Sequence, residues 1–233
     1  MMSIPHKIRV YLEVGSKRTF AGSLDWPGWC RSGRNESNAL DVLLAYTRRY
    51  ADVIIPFHLG FWLPKTSADF EVVQRIVGNA STDFGALGIA PSEDARSIDD
   101  FEIKRMLQIL DACWQAFDSA VANAQGNELR KGPRGGGRDL NKMQRHVIDA
   151  ERAYLGMLGW SEIPEGMVGF TTERTAVRQT IREALSATAP ITHPGSGPRG
   201  GVHWMPRYFV RKVAWHVLDH AWEIEDRSIP LET

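Results

Sequence analysis

The apolar periodicity of this chain changes partway along it, and that change constrains the fold more than any other feature. Lys7-Ile8-Arg9-Val10-Tyr11-Leu12-Glu13-Val14 alternates with the two-residue period of a strand. Gly15-Ser16 supplies a turn and Arg18–Leu24 continues as a second strand, which predicts a β-hairpin. Asn35 then caps a helix whose apolar face runs through Val42, Leu43, Leu44 and Tyr46. Asp69–Val77 reads as a further strand added to the same sheet, followed by a Gly/Ala/Pro-rich loop to about Ser97. Beyond that point the period becomes helical, with segments at roughly 98–124, 138–159, 173–189 and 205–227. A sheet layer of this size must bury its apolar face against something, most economically a helical neighbour. The expected class is therefore α+β: a small ββα module over 1–55, a connecting segment over 56–97, and a four-helix bundle over 98–233 on which the module packs.

Composition narrows the function classes. With 233 residues the chain exceeds the usual single-domain size, and 43% apolar content with eight tryptophans can build proper cores. No run approaches the roughly 18 apolar residues of a membrane span, and Met1–Lys7 lacks the apolar core of a signal peptide. Cys30 and Cys113 are the only cysteines, so no disulfide framework is indicated and a cytoplasmic home is expected. The 28 basic residues balance 28 acidic ones, which argues against a general polyanion binder. Residues 1–55 carry eight basic against five acidic residues and offer no basic recognition helix, so duplex DNA is not an expected partner. One local excess stands out. Arg130, Lys131, Arg134, Arg138, Lys142 and Arg145 face only Glu128 and Asp139 across 127–145, and the stretch runs directly into His146. It reads either as a solvated, glycine-loosened linker or as an anion-attracting rim.

Chemistry concentrates on three histidines. His216 and His220, in the segment Val213-Ala214-Trp215-His216-Val217-Leu218-Asp219-His220, are one helical turn apart and project from one face. Their Cβ atoms are then about 5–6 Å apart, within reach of one metal ion. His146, inside the helical pattern of 138–159, supplies a third imidazole. Three neutral imidazoles with one position left open describe a catalytic metal centre, because structural sites normally close all four positions. Spacing alone is cheap to satisfy by chance and favours core histidines hydrogen-bonded inside a helical unit. Glu223 follows His220 by three residues on nearly the same face, where it can orient an imidazole, accept a proton or add a ligand. Arg145 and Asp149 flank His146 as further candidates. Trp114, Trp215 and Trp222 read as packing residues, with stacking on a substrate as the other reading.

The order of these ligands, His146 on the second helix and the H-x-x-x-H pair His216/His220 on the last, resembles the DinB family of metal-binding four-helix bundles over residues 98–227. The resemblance implies one divalent metal, zinc or nickel, held by His146, His216 and His220. Characterised bundles of this kind include low-molecular-weight thiol S-transferases and a mycothiol-dependent isomerase, and such bundles often form homodimers through a flat helical face. The segment 5–55 is similar to a HicB-like ββα module: Leu24-Asp25-Trp26-Pro27-Gly28-Trp29-Cys30 matches its leucine-x-x-proline-glycine-cysteine turn with an extra tryptophan. That likeness implies a fold that protects a partner or packs on its own chain, and no catalytic residue.

Other motifs drop out. Gly195-Ser196-Gly197-Pro198-Arg199-Gly200 spells a dinucleotide fingerprint without the preceding strand that the fingerprint requires. No E-x-x-H, H-E-x-x-H, C-x-x-C or G-x-S-x-G is present, which sets aside di-iron, zinc-protease, zinc-ribbon and serine-hydrolase chemistry. Two readings remain. One, which the DinB-like resemblance implies, is an enzyme that binds a small thiol at the open metal position and lowers its pKa for attack on an electrophile or for isomerisation, with Glu223 and Arg145 assisting. The other is a non-catalytic metal-binding stress or regulatory protein whose N-terminal module engages a partner.

Overall fold

A computed structural model describes residues 7–131, 137–162, 166–188 and 203–229, and the fold is mixed α+β. The chain divides into two compact units, Met1–Arg96 and Ser97–Thr233. The glycine-rich stretch 195–200 and Arg134 of the basic run lie outside the described residues.

In the first unit, β1 (Ile8–Val14), β2 (Thr19–Ser23), β3 (Cys30–Gly33) and β4 (Phe70–Val77) form one sheet in the order β3-β2-β1-β4. The hairpin expected from alternation is β1 and β2, paired from Val10↔Ser23 to Val14↔Thr19. The strand expected at 69–77 is β4, and it runs parallel to β1 with a bulge at Val10/Tyr11. β3 is a departure, because Cys-Arg-Ser-Gly is too short to show a period and reads in sequence as part of the turn. The helix capped by Asn35 is divided at Tyr46 into α1 (Glu36–Ala45) and α2 (Thr47–Ile54). A short helix, α3 (Ala80–Phe84), interrupts the segment expected to be loop, capped by Asn79. The core of this unit is aromatic. Trp29 is fully buried, stacks on Tyr50 at 5.6 Å between centroids, and donates from Nε1 to the Leu43 carbonyl at 3.0 Å.

The second unit is mostly helical: α4 (Asp100–Asn123), α5 (Leu140–Leu158), α6 (Phe170–Thr188) and α7 (Pro206–Arg227). Local signals set their ends. Asp99 forms a capping box with Glu102, Asp139 accepts from Lys142 N, Gly159 closes α5 at φ 92°, and Pro206 opens α7. α6 begins three residues before the expected 173, at Phe170, just past Gly169. α4 packs on α7, α7 on α5, α5 on α6 and α6 on α4, so the four helices close a ring. Two-residue strands β5 (Glu128–Leu129) and β6 (Ser228–Ile229) pair beside it. α7 is buried over most of its surface, from Tyr208 to Ile224. Each fully buried Val, Leu or Ile there stabilises by about 1.5–3 kcal/mol, which makes α7 a rigid mount for side chains projecting from it. No described helix is long and apolar enough to cross a membrane.

Candidate metal centre

α5 and α7 pack against each other, and that packing carries His146 to His216 and His220. The Nε2 atoms converge: His216 to His146 is 3.1 Å, and His220 to His216 is 3.2 Å. One ligand nitrogen from each ring lies within 4.8 Å of the others, and this is the group of three that the sequence selects. His216 and His220 are 7% and 8% exposed, while His146 is half-buried and forms the solvent side.

A carboxylate behind the cluster sets one tautomer. His220 Nδ1 donates to Glu223 Oε2 at 2.9 Å, which turns the Nε2 edge of His220 into the cluster. Glu223 is itself fixed, because its Oε1 accepts from Arg227 Nη1 at 2.5 Å. Arg227 in turn donates to the Arg130 and Arg138 carbonyls, both at 2.8 Å, and so anchors the basic stretch to the end of α7. With both oxygens engaged, and its pKa held below the usual range by His220 and then Arg227, Glu223 is placed to orient His220. Sequence spacing alone leaves its role open among orienting, proton transfer and ligation.

Neutral imidazoles are favoured at His146 and His216. Burial first, then the neighbouring His220 and Arg138 charges, pushes His146 down to about 4. Burial, His220, His146 and Lys212 push His216 well below its ordinary value. One proton on His216 Nε2 would have to serve contacts of 3.1 and 3.2 Å at once, and burial opposes charging either the His146 or the His216 ring. A cation satisfies several lone pairs together. Tetrahedral ligand nitrogens at metal bonds of about 2.0–2.1 Å stand about 3.3 Å apart, close to the His146–His216 and His216–His220 separations, while His146 and His220 lie within 4.8 Å of each other. The donor set therefore fits one divalent transition metal that accepts imidazole. His216 Nδ1 is buried without a hydrogen-bond partner among the described residues, so only His220 of the buried pair has its outer nitrogen buttressed.

The other expected residues are placed differently. Arg145 turns to Glu173 of α6 at 2.7 Å, with Asp149 of its own helix at 3.7 Å, and Arg152 joins it on Glu173 at 2.7 Å. The cation whose field reaches both His146 and His216 is Arg138. Trp114 packs within the helical unit, donating from Nε1 to the buried Glu151 at 2.6 Å. Trp222 is buried, and Trp215 lies 6.1 Å from His216 with the Lys212 ammonium 4.8 Å over its ring.

Sequence reasoning misses two parts of the surroundings. Lys212 is one turn before His216 on the same stripe, a position that i, i+4 spacing marks. Tyr154, two turns after His146, stands edge-on to His216 at 5.8 Å between ring centroids and lies 5.2 Å from Trp204, which continues to Tyr208 at 5.0 Å. Its spacing from His146 is legible. Its partner Trp204 belongs to the segment before α7, and only the fold brings them together.

No family model matches this chain, and neither a curated protein nor a solved structure does.

Proposed function

We propose that the protein is a metal-dependent enzyme acting on a small molecule, in which His146, His216 and His220 hold one divalent ion, zinc or nickel, and a low-molecular-weight thiol is the activated reactant. The observation that carries this reading is the convergence of the three imidazole nitrogens with Glu223 buttressing His220. When bound, such an ion lowers the pKa of a thiol that joins it and stabilises the thiolate. The chain's own residues do the rest. Glu223, steadied by Arg227, keeps the His220 lone pair aimed inward. Arg138 and Lys212 set a positive field around the cluster, which favours an anionic sulfur over a neutral one. Tyr154 and Trp204 give an apolar aromatic surface next to His216, suited to the carbon skeleton of an electrophile. Transfer or isomerisation of such a thiol adduct fits the DinB-like order of ligands, and these thiols belong to the reducing cytoplasm.

The test is conjugation of mycothiol or bacillithiol to monochlorobimane. The S–C bond forms as the C–Cl bond breaks, chloride leaves with the electron pair, and the thiol proton passes to water. Metal-loaded protein accelerates this reaction and a chelator suppresses it. If a panel of cellular thiols and electrophiles reacts no faster with the protein than without it, the non-catalytic metal-binding reading replaces the enzyme.

A further inference from the structure

The first unit holds a second concentration of unused charge. Lys17 and Arg18 follow the β1–β2 turn, Ser32 and Gly33 end β3, and Arg34 and Asn38 lead into α1; together they line a cavity of about 240 Å³ without a single carboxylate. Elsewhere in this unit arginines are spoken for: Arg9 pairs with Asp25 at 2.7 Å, Arg48 with Asp52 at 3.0 Å, Arg75 with Glu36 at 2.9 Å and Arg96 with Glu93 at 2.8 Å. Lys17, Arg18 and Arg34 have no ion pair among the described residues, and the one side-chain bond they make is Arg18 Nη1 to Ser32 Oγ at 3.2 Å. Two nearby carboxylates are diverted from the cavity. Glu36, in the first turn of α1, is taken by Arg75, and Asp83, whose carboxylate the Lys17 charge also reaches, accepts from Ser16 Oγ at 2.5 Å and Lys17 N at 2.7 Å.

Backbone geometry brings the end of β3 and the first turn of α1 together here. A Cβ on Gly33 would stand 2.4 Å from Ala39 N, so only glycine lets β3 approach the start of α1 this closely. Asn35 Oδ1 caps Asn38 N and Asn38 Oδ1 accepts from Arg34 N, which fixes the corner's shape. Three cations, a hydroxyl and the Asn38 side chain from separate segments converge on one small concavity.

We propose that this corner, built by Lys17, Arg18, Ser32, Arg34 and Asn38, binds the phosphate group of a small phosphomonoester, independently of the histidine cluster. Guanidinium forks and an ammonium match the several acceptor oxygens of a phosphate dianion better than the single edge of a carboxylate. The cavity is smaller than the roughly 300–1,000 Å³ of pockets that enclose drug-sized ligands, so it grips the charged head and leaves the remainder of the molecule in solvent. A nucleic-acid duplex would demand an extended basic stripe, which the paired arginines of this unit do not supply.

Inorganic phosphate titrated into the full-length protein at constant ionic strength, followed by amide ¹H–¹⁵N shifts, tests the site. Saturable shifts at Ser32, Arg34 and Asn38 are expected, with Kd raised about tenfold in Arg34→Gln and in Lys17→Gln. Arg48→Gln, whose parent residue pairs with Asp52 outside the cavity, leaves Kd unchanged. Glycerol phosphate then competes with inorganic phosphate for the same amides. The proposal is overturned if the shifts do not saturate, if they persist undiminished in both cavity variants, if they centre on His216 instead, or if a DNA duplex displaces phosphate and loses affinity in the same variants.

Discussion

Oε2 of Glu223 stands 2.9 Å from Nδ1 of His220, three residues back on α7, so one carboxylate decides which nitrogen of the imidazole faces the cluster. The pairing depends on α7 alone, because both residues and the Arg227 that steadies Glu223 lie on that helix.

Replacing Glu223 with glutamine keeps its shape and removes its charge. Loss of such a supporting carboxylate typically weakens metal binding by about 10–100-fold. Competition against a chromophoric chelator should show a weakening in that range with the helical circular dichroism unchanged. Equal affinity in variant and parent would mean that Glu223 does not support the site.

His216, His220 and Glu223 are legible in the sequence because helical spacing is a local property: positions 216, 220 and 223 share a face whatever surrounds them, whereas His146, 70 residues from His216, is singled out only by its helical segment and the family-like order of ligands. The limits of α4, α5 and α7 are legible for the same reason, since Asp99, Asp139, Gly159 and Pro206 act within a turn of themselves. Pairings across the chain are not. Arg145 has Asp149 on its own helix, yet its strongest partner is Glu173, 28 residues on, and no spacing rule announces that pair. β3 goes unread because four residues cannot display a period, and its pairing with β2 exists only in the folded sheet.

Glu151 provides a pH signature in the helical core. Its carboxyl is fully buried, accepts from Trp114 at 2.6 Å, and is pushed above the ordinary value by burial, against the opposing charge of Arg178. A folded-state pKa that is raised contributes stability below the unfolded value, about 4.3 for glutamate, and loses it as pH rises through the folded value. Glu151→Gln keeps an acceptor for Trp114 and cannot ionise. Its melting temperature relative to the parent should therefore be lowest near pH 4 and climb as the pH approaches neutrality. A difference constant across that window would contradict the assignment.

In the first unit, Trp29 holds the aromatic core between Tyr50, Phe61 and Phe70. Trp29→Ala removes a fully buried indole and the hydrogen bond to Leu43, at a cost of about 3–5 kcal/mol by the usual range for such truncations. Urea denaturation with a probe specific to this unit measures it. A loss below about 1 kcal/mol would place the indole outside the packed core.

The central claim is that His146, His216 and His220 bind one metal ion together. Elemental analysis of protein purified without chelator, alongside His146→Ala, His216→Ala and His220→Ala shown to be folded by circular dichroism, tests it most directly. The account predicts about one equivalent of a divalent transition metal in the parent chain and its loss in the His216 and His220 variants, with the His146 variant strongly depleted. Full metal content in a folded His216→Ala or His220→Ala protein would contradict it.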